Sequence, residues 1–258
     1  MKLNNIDISE IVGIAQKAGE KILEVYGRND FKINIKDDNS PLTIADQLSH
    51  QMILEELNKL DSNIPVISEE GKDIKFEERK DWEMFWLVDP LDGTKEFINR
   101  NGEFTVNIGL IENNLPVLGV IYVPVSGVIY YGTVGAGAWK RTRNEREKIK
   151  VKSKDFNDGL TVVQSRSHSG EEEEKYYSKF KIKETISRGS SLKICMLAEG
   201  KADLYFRGGK TWEWDTAAGH AILKAAGGNI FTKEKKELLY NKESLKNEGF
   251  IATSFELN

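Results

Sequence analysis

A single cysteine, Cys195, stands in a chain of 258 residues. That scarcity excludes an internal disulfide framework and any cysteine-rich zinc module. Histidine is nearly as rare, with His50, His168 and His220 far apart in the chain. A histidine-built metal centre is therefore not expected, and any metal must be held by oxygen. No apolar run approaches the ~18 residues of a membrane-spanning helix. The opening MKLNNIDISEIV also lacks the basic start and apolar stretch of a signal peptide. Positive charge is not in excess: the net charge is −4 and the isoelectric point about 5.6. With no basic-aromatic motif either, a nucleic acid polymer is not an expected partner. Repeats are absent, and the one biased run, Glu171 to Glu174, fits a solvated helix face or loop. These absences lead us to expect a cytoplasmic protein without integral membrane contact, monomer or homodimer. Peripheral attachment to the inner membrane stays open.

What is present suffices for a sizeable core, since hydrophobic residues make up 39% of the chain and charged residues 30%. Ile8, Ile11, Val12, Ala15, Ala18, Ile22 and Val25 recur at helical spacing, with Asp7 or Ser9 as a cap. A second helix is expected from about Ile44 to Leu60. Strand signals follow at Pro65-Val66-Ile67 and in the buried-type run Met84 to Val88. Phe104 to Ile111 and Leu115 to Val123 flank Glu112-Asn113-Asn114 as a hairpin, and Gly127 to Val134 adds a strand. The charged stretch Lys140 to Asp155 has few apolar anchors, so a boundary is expected at its end, with domains 1–155 and 156–258. Beyond it strands and helices alternate: Leu160 to Gln164, Ser191 to Glu199, Ala202 to Phe206, Thr216 to Ala226 and Asn229 to Thr232. The first part reads as α+β and the second as α/β.

The most informative stretch is FWLVDPLDGTKEF, Phe85 to Phe97. A buried strand is expected to end at Asp89, where Pro90 breaks the ladder, and Asp92-Gly93-Thr94 opens a helix. Two carboxylates three residues apart at a strand end can turn toward one point, with the Leu91 carbonyl between them. Gly93 permits close backbone approach, and a helix N-terminus offers N–H groups to phosphate. Hard oxygen ligands beside phosphate donors describe a Mg²⁺ phosphoryl site. Taken alone, the stretch fits an Asp-Gly turn equally well. Ser68-Glu69-Glu70-Gly71 supplies acidic residues at another strand end, or a solvated turn. Trp212 to Gly219 places Asp215 before a small-residue helix, where an N-cap is the plain alternative. Thr43 and Asp46 open the second helix, where a capping box is the alternative. Cys195 shares an apolar helical face with Leu192 and Met196 and reads as core. Trp212 and Trp214 fit a cavity wall or sheet packing.

DPLDGTKEF with upstream SEEG and downstream WDTAAG resembles the inositol monophosphatase-like phosphatases, which are Mg²⁺-dependent and lithium-sensitive. The resemblance extends over nearly the whole chain. At LTIAD, QSRSH and RGSSLKICMLAEGKADLY it narrows to the CysQ-type 3′(2′),5′-bisphosphate nucleotidases. It implies the layered αβαβα sandwich of the inositol monophosphatase/fructose-1,6-bisphosphatase type. Glu69, Asp89 and the Leu91 carbonyl would hold a first metal, and Asp89, Asp92 and Asp215 a second. A third ion would sit near Glu69, giving two to three Mg²⁺ in all, with Li⁺ inhibitory. Thr94 would position the attacking water with Asp46 as its partner and proton acceptor, and Glu69 would join them in catalysis. The Gly93 and Thr94 amides would hold the scissile phosphate. Ser165, His168, Gly189, Ser190 and Lys193 would contact the nucleotide, the last three at its second phosphate. The implied reaction converts 3′-phosphoadenosine 5′-phosphate to 5′-AMP and phosphate. Alternatives are an inositol monophosphatase or broad sugar-phosphate phosphatase, and a non-catalytic nucleotide- or metal-binding regulator.

Overall fold

The computed structural model describes residues 6–28, 33–35, 41–152, 158–166 and 170–256. The chain opens with α1 (Ile8–Tyr26), β1 (Ile33–Ile35), β2 (Pro41–Thr43), α2 (Ile44–Leu60), β3 (Val66–Ser68) and α3 (Phe76–Arg79). It continues through β4 (Met84–Asp92), α4 (Thr94–Ile98), β5 (Thr105–Glu112), β6 (Leu115–Val123), β7 (Val128–Thr133), β8 (Gly137–Arg141) and β9 (Arg146–Ile149). The remainder comprises β10 (Leu160–Ser165), α5 (Glu171–Tyr177), β11 (Ile182–Arg188), α6 (Leu192–Ala198), β12 (Leu204–Arg207) and β13 (Thr211–Trp212). It closes with α7 (Glu213–Ala225), β14 (Asn229–Phe231), β15 (Lys246–Asn247) and β16 (Phe250–Thr253).

Strands β3 to β9 form a seven-stranded sheet in chain order, parallel at β3–β4 and antiparallel elsewhere. Its central strands are buried on both faces, which explains the unbroken apolar run of β4. Trp86 and Val88 face the layer of α1 and α2, while Phe85 and Leu87 face α6 and α7. A five-stranded sheet, ordered β11-β10-β12-β16-β14, covers the other side of α6 and α7. Val163, Tyr205 and Ala252 of that sheet turn inward, while Val162, Leu204 and Ile251 face Tyr177 of α5. The layers are therefore helices, sheet, helices, sheet, helix, the αβαβα sandwich.

Local chemistry explains several boundaries. Asp7 rather than Ser9 caps α1, accepting the Ser9 amide at 2.9 Å. Asn113 and Asn114 turn the β5–β6 hairpin at φ of 51° and 63°, the left-handed conformation a tight hairpin needs. Small residues let α7 lie directly on the seven-stranded sheet. A Cβ added at Gly119 would stand 2.1 Å from the Ala218 carbonyl oxygen, so only glycine fits beneath the helix.

Three expectations change. Strand β4 does not stop at Asp89 but runs past Pro90 to Asp92. Asp89 pairs with Asn107 and Asp92 with Thr105, so the register shifts in a bulge that absorbs the proline's missing donor. Asp215 is not the N-cap residue itself: it lies inside the first turn of α7 and, as Asp46 does in α2, accepts the amide of the capping residue, here Trp212. The acidic run forms α5, and Glu173 is buried there, accepting the amides of Gly208 and Gly170.

Candidate active site

The bulge in β4 carries the centre of the site. In an unbroken strand, residues three apart point to opposite faces. The shift between Asp89 and Asp92 instead brings both to the same cavity. Parallel pairing adds Glu69, whose amide donates to the Val88 carbonyl at 3.1 Å. The first turn of α7 presents Asp215 to the same cavity, which Leu91 also lines. The cavity measures about 540 Å³.

Helix α2 abuts the same strand end, where the Ser49 hydroxyl donates to the Pro90 carbonyl at 2.7 Å. Its capping box is real: Asp46 Oδ2 accepts the Thr43 amide at 2.7 Å and the Thr43 hydroxyl at 2.6 Å. Its other oxygen serves the site. Thr94 Oγ1 donates to Asp46 Oδ1 at 3.3 Å, joining α2 to α4. With its hydrogen directed there, the Thr94 oxygen can accept a hydrogen from a water in the cavity.

Electrostatics mark the carboxylates as a coupled set. Asp89 is 2% exposed, and its carboxyl is held well above the usual range by burial first. The charges of Glu69, Asp92 and Asp215 add to the rise, as does a hydrogen bond with Glu69. Asp215 is raised in the same direction by burial and then by Asp92 and Glu69. Each carboxylate also has protein partners. Asp89 Oδ1 accepts the Leu91 amide, and Asp92 Oδ2 accepts from Ser191 and Asn107. Among the described residues the oxygens do not close on one point as a finished ligand cage. The donor set is nevertheless all hard oxygen and crowded with like charge, which suits a small divalent cation.

The cavity is also lined by cations, Lys193, Arg207 and Lys210, with Ser165 and Ser190. Lys193 is 7% exposed, donates to the Ser190 carbonyl at 2.6 Å and lies 5.5 Å from the Tyr205 ring. Burial lowers its pKa. Lys210 pairs with Glu248 at the rim. Gly189 departs from the expected role: its amide is donated to Glu103 Oε2 at 2.7 Å, so it is not free for a phosphate. Gly189 also does not line the cavity. His168 lies outside the described residues.

Ser190 packs on the acidic motif itself. A Cβ at Gly93 would meet Ser190 Oγ at 2.1 Å, and Gly93 adopts φ of 89°. The Asp92-Gly93 step thus requires glycine for both space and backbone geometry. Trp212 lines the cavity and stacks on Trp214, with centroids 4.9 Å apart, while Trp214 belongs to the core. Cys195 is buried, as its helical face implied. His220 bonds Tyr240 and Asn229 within the core, and His50 bonds Ser68. Arg207 carried no local motif of its own, and Ser191, although part of RGSSLK, gave no sign of its bond to Asp92. A cation at the end of β12, facing the sheet's ligand side, was the available signal for Arg207.

Comparison with known proteins agrees with this architecture. The model of the inositol monophosphatase family matches residues 6–254. The chain is 48% identical over 250 residues to the 3′(2′),5′-bisphosphate nucleotidase CysQ of Salmonella typhimurium, covering 96% of this chain and 100% of that one. It is 46% identical to the protein of the same name from Escherichia coli, over 94% of this chain and 98% of the other. The crystal structure of CysQ from Bacteroides thetaiotaomicron superposes with a TM-score of 0.84 at 45% identity, covering 96% and 97% of the two chains. An inositol monophosphatase from Anabaena shares the fold, with a TM-score of 0.74 at 24% identity. On its matched length, its layered sheets and its carboxylate-lined cavity, the chain belongs to the inositol monophosphatase family.

Proposed function

We infer that this chain hydrolyses 3′-phosphoadenosine 5′-phosphate to 5′-AMP and phosphate. The observation that carries this reading is one cavity lined by two unlike sets of groups, the carboxylates Glu69, Asp89, Asp92 and Asp215 and the cations Lys193, Arg207 and Lys210. A substrate with one reacting phosphate and one that only binds matches such a cavity. A monophosphorylated sugar or inositol would bring no second phosphate to Lys193. The relatives named above as bisphosphate nucleotidases support the same substrate.

The carboxylates of Glu69, Asp89, Asp92 and Asp215 with the Leu91 carbonyl would hold Mg²⁺, two to three ions per site. Bound there, the ions offset the crowded negative charge, make a water nucleophilic at neutral pH and stabilise the leaving oxygen. The protein's own groups do the rest. Asp92 Oδ2 accepts from Ser191 and Asn107, which orients the carboxylate and leaves Oδ1 as its ligating oxygen. Thr94 accepts a hydrogen from the attacking water and passes its own toward Asp46, orienting a lone pair at phosphorus. Asp46 takes up the developing proton while its second oxygen stays bound by Thr43. The Gly93 and Thr94 amides at the start of α4 hold the phosphoryl oxygens. Lys193 and Ser165 take the distal phosphate and nucleotide, with Arg207 adding positive potential.

The test is phosphate release from a panel of 3′-phosphoadenosine 5′-phosphate, 3′-AMP and inositol 1-phosphate with Mg²⁺. The bisphosphate is expected to lead in kcat/KM, EDTA to abolish turnover and Mg²⁺ to restore it. Li⁺ at sub-millimolar to millimolar concentration is expected to inhibit. Preference for inositol 1-phosphate, or turnover indifferent to EDTA, would overturn the reading.

A further inference from the structure

A short chain of hydrogen bonds joins the Lys193 subsite to the Asp92 carboxylate. Ser191 is 4% exposed and its Oγ sits at a junction. It donates to Asp92 Oδ2 at 2.7 Å and accepts from Asn107 Nδ2 at 2.8 Å, with the Asp215 carbonyl 3.2 Å away. A hydroxyl has one hydrogen, and the short contact to a carboxylate is the one that claims it. Its neighbour Ser190 holds a left-handed backbone at φ of 47°, unusual for a residue with a side chain. Ser190 Oγ lies 2.9 Å from the Asp92 carbonyl and 2.6 Å from the Glu103 carbonyl. Lys193 completes the path by donating to the Ser190 carbonyl at 2.6 Å. The strained turn is thus held from one side by the cation and docks on Asp92 from the other, through both backbone and side chain.

We propose that Ser191 is a positioning residue that relays occupancy of the Lys193 subsite to the Asp92 carboxylate, so that the non-reacting phosphate accelerates turnover as well as tightening binding. The proposal rests on the bisphosphate nucleotidase reading above. An anion at Lys193 competes for Nζ with the Ser190 carbonyl and loosens its hold on the Ser190-Ser191 turn. Because Ser191 is bonded to Asp92, that adjustment reaches the carboxylate. Binding energy from a remote group raises kcat only when it is realised in the transition state. A relay ending on Asp92 provides such a route, whereas a simple electrostatic pocket would lower KM alone.

The readout is the ratio of kcat on 3′-phosphoadenosine 5′-phosphate to kcat on 3′-AMP, each at saturating substrate and Mg²⁺. In the unaltered enzyme this ratio is expected to be about ten or more, the effect of one charge-assisted hydrogen bond. Ser191→Ala should bring it near unity while much of the KM difference between the substrates remains. Lys193→Ala should also reduce it, and adding Lys193→Ala to Ser191→Ala should reduce it no further. A ratio unchanged by Ser191→Ala would overturn the relay, since Ser191 would then hold Asp92 regardless of substrate. So would multiplicative losses in the double variant, or an unaltered enzyme whose preference lies wholly in KM. Should Ser191→Ala fail to fold, Lys193→Met takes its place. Because the Lys193 charge itself acts on Asp92, that variant is read beside Ser191→Cys, whose thiol donates only weakly to Asp92 while Lys193 stays in place. The kcat ratio should fall toward unity in both, and a ratio unchanged in Ser191→Cys refutes the relay. Absence of turnover on either adenosine nucleotide by the unaltered enzyme would instead overturn the nucleotidase reading itself.

Discussion

Asp89, Asp92 and Asp215 stand on a strand end and a helical turn whose register is set by backbone hydrogen bonds and by α7 packed against glycines of the sheet. Ser190 and Lys193 stand on the turn into a seven-residue helix, held by side-chain contacts to Glu103, Asp92 and one another. The acidic wall is thus rigid and carries unresolved like-charge repulsion. The cationic groups are individually paired or bonded instead, as at Lys193–Ser190 and Lys210–Glu248. The difference teaches that chemistry and selectivity are carried by separable parts of one cavity, and perturbing each should break different properties.

The largest effect is expected at the acidic wall. Asp89→Asn should lower kcat on every phosphomonoester by about a thousandfold or more, as removal of a central electrostatic group does. The metal-free variant should nevertheless melt higher than the metal-free parent, because one crowded charge is gone. A gain of about 2–4 °C accompanies each kcal/mol of relieved repulsion in a chain of this size. Substantial activity with ordinary Mg²⁺ dependence would break the comparison by removing Asp89 from the chemistry.

A second test separates the wall from the scaffold beneath it by pH. Asp89 and Asp215 have folded pKa values above their unfolded ones, so the native state binds more protons and metal-free stability falls as pH rises above the ordinary carboxylate value. His220 acts oppositely: burial pushes it down to about 4 from 6.5. Its contribution, up to about 3 kcal/mol, is present above pH 6.5 and lost as pH falls toward 4. Between about pH 4 and 6.5 the two carboxylates outweigh the single histidine, so metal-free Tm should fall as pH rises through this range, with His220 softening the slope. Mg²⁺ should lift the alkaline side and leave the acid side almost untouched, because it competes with protons only at the carboxylates. An equal Mg²⁺ effect across the range, measured by calorimetry, would contradict this division.

The smallest effect belongs to the cationic wall. Lys193→Ala should lower kcat/KM for 3′-phosphoadenosine 5′-phosphate by roughly 10- to 150-fold, about 1.5–3 kcal/mol. The loss on 3′-AMP should be much smaller. Equal losses on both substrates in steady-state assays would show that Lys193 supports the acidic wall or the fold instead.

The acidic wall was the more legible half. Asp89, Asp92 and Glu69 follow apolar strands and precede glycine or proline, a local pattern that the chain displays within a few residues. Asp46 was legible as a cap, and the structure shows that one of its oxygens caps while the other meets Thr94. The cationic wall was read less well. Gly189 looked available for a phosphate, but its amide is taken by Glu103, a residue far away in sequence. Arg207 and Ser191 acquire meaning only from what stands opposite them. Strands such as β11 and β9 were missed because charged, exposed residues dominate them, as at the edges of sheets.

By itself the sequence determined the helices with a clear apolar stripe, the central strands, the oxygen-only donor set and the family. Periodicity, turn chemistry and short motifs are local properties, and burial on two faces leaves an unmistakable apolar run. Only the tertiary structure decided that Pro90 sits in a bulge rather than at a strand end, that Asp215 lies within α7, and that a serine links the two walls. Those outcomes depend on register between strands and on side chains meeting across 84 to 99 residues of chain, as at Asn107–Ser191 and Asp92–Ser191. Such contacts are set by how layers pack, which no local pattern encodes.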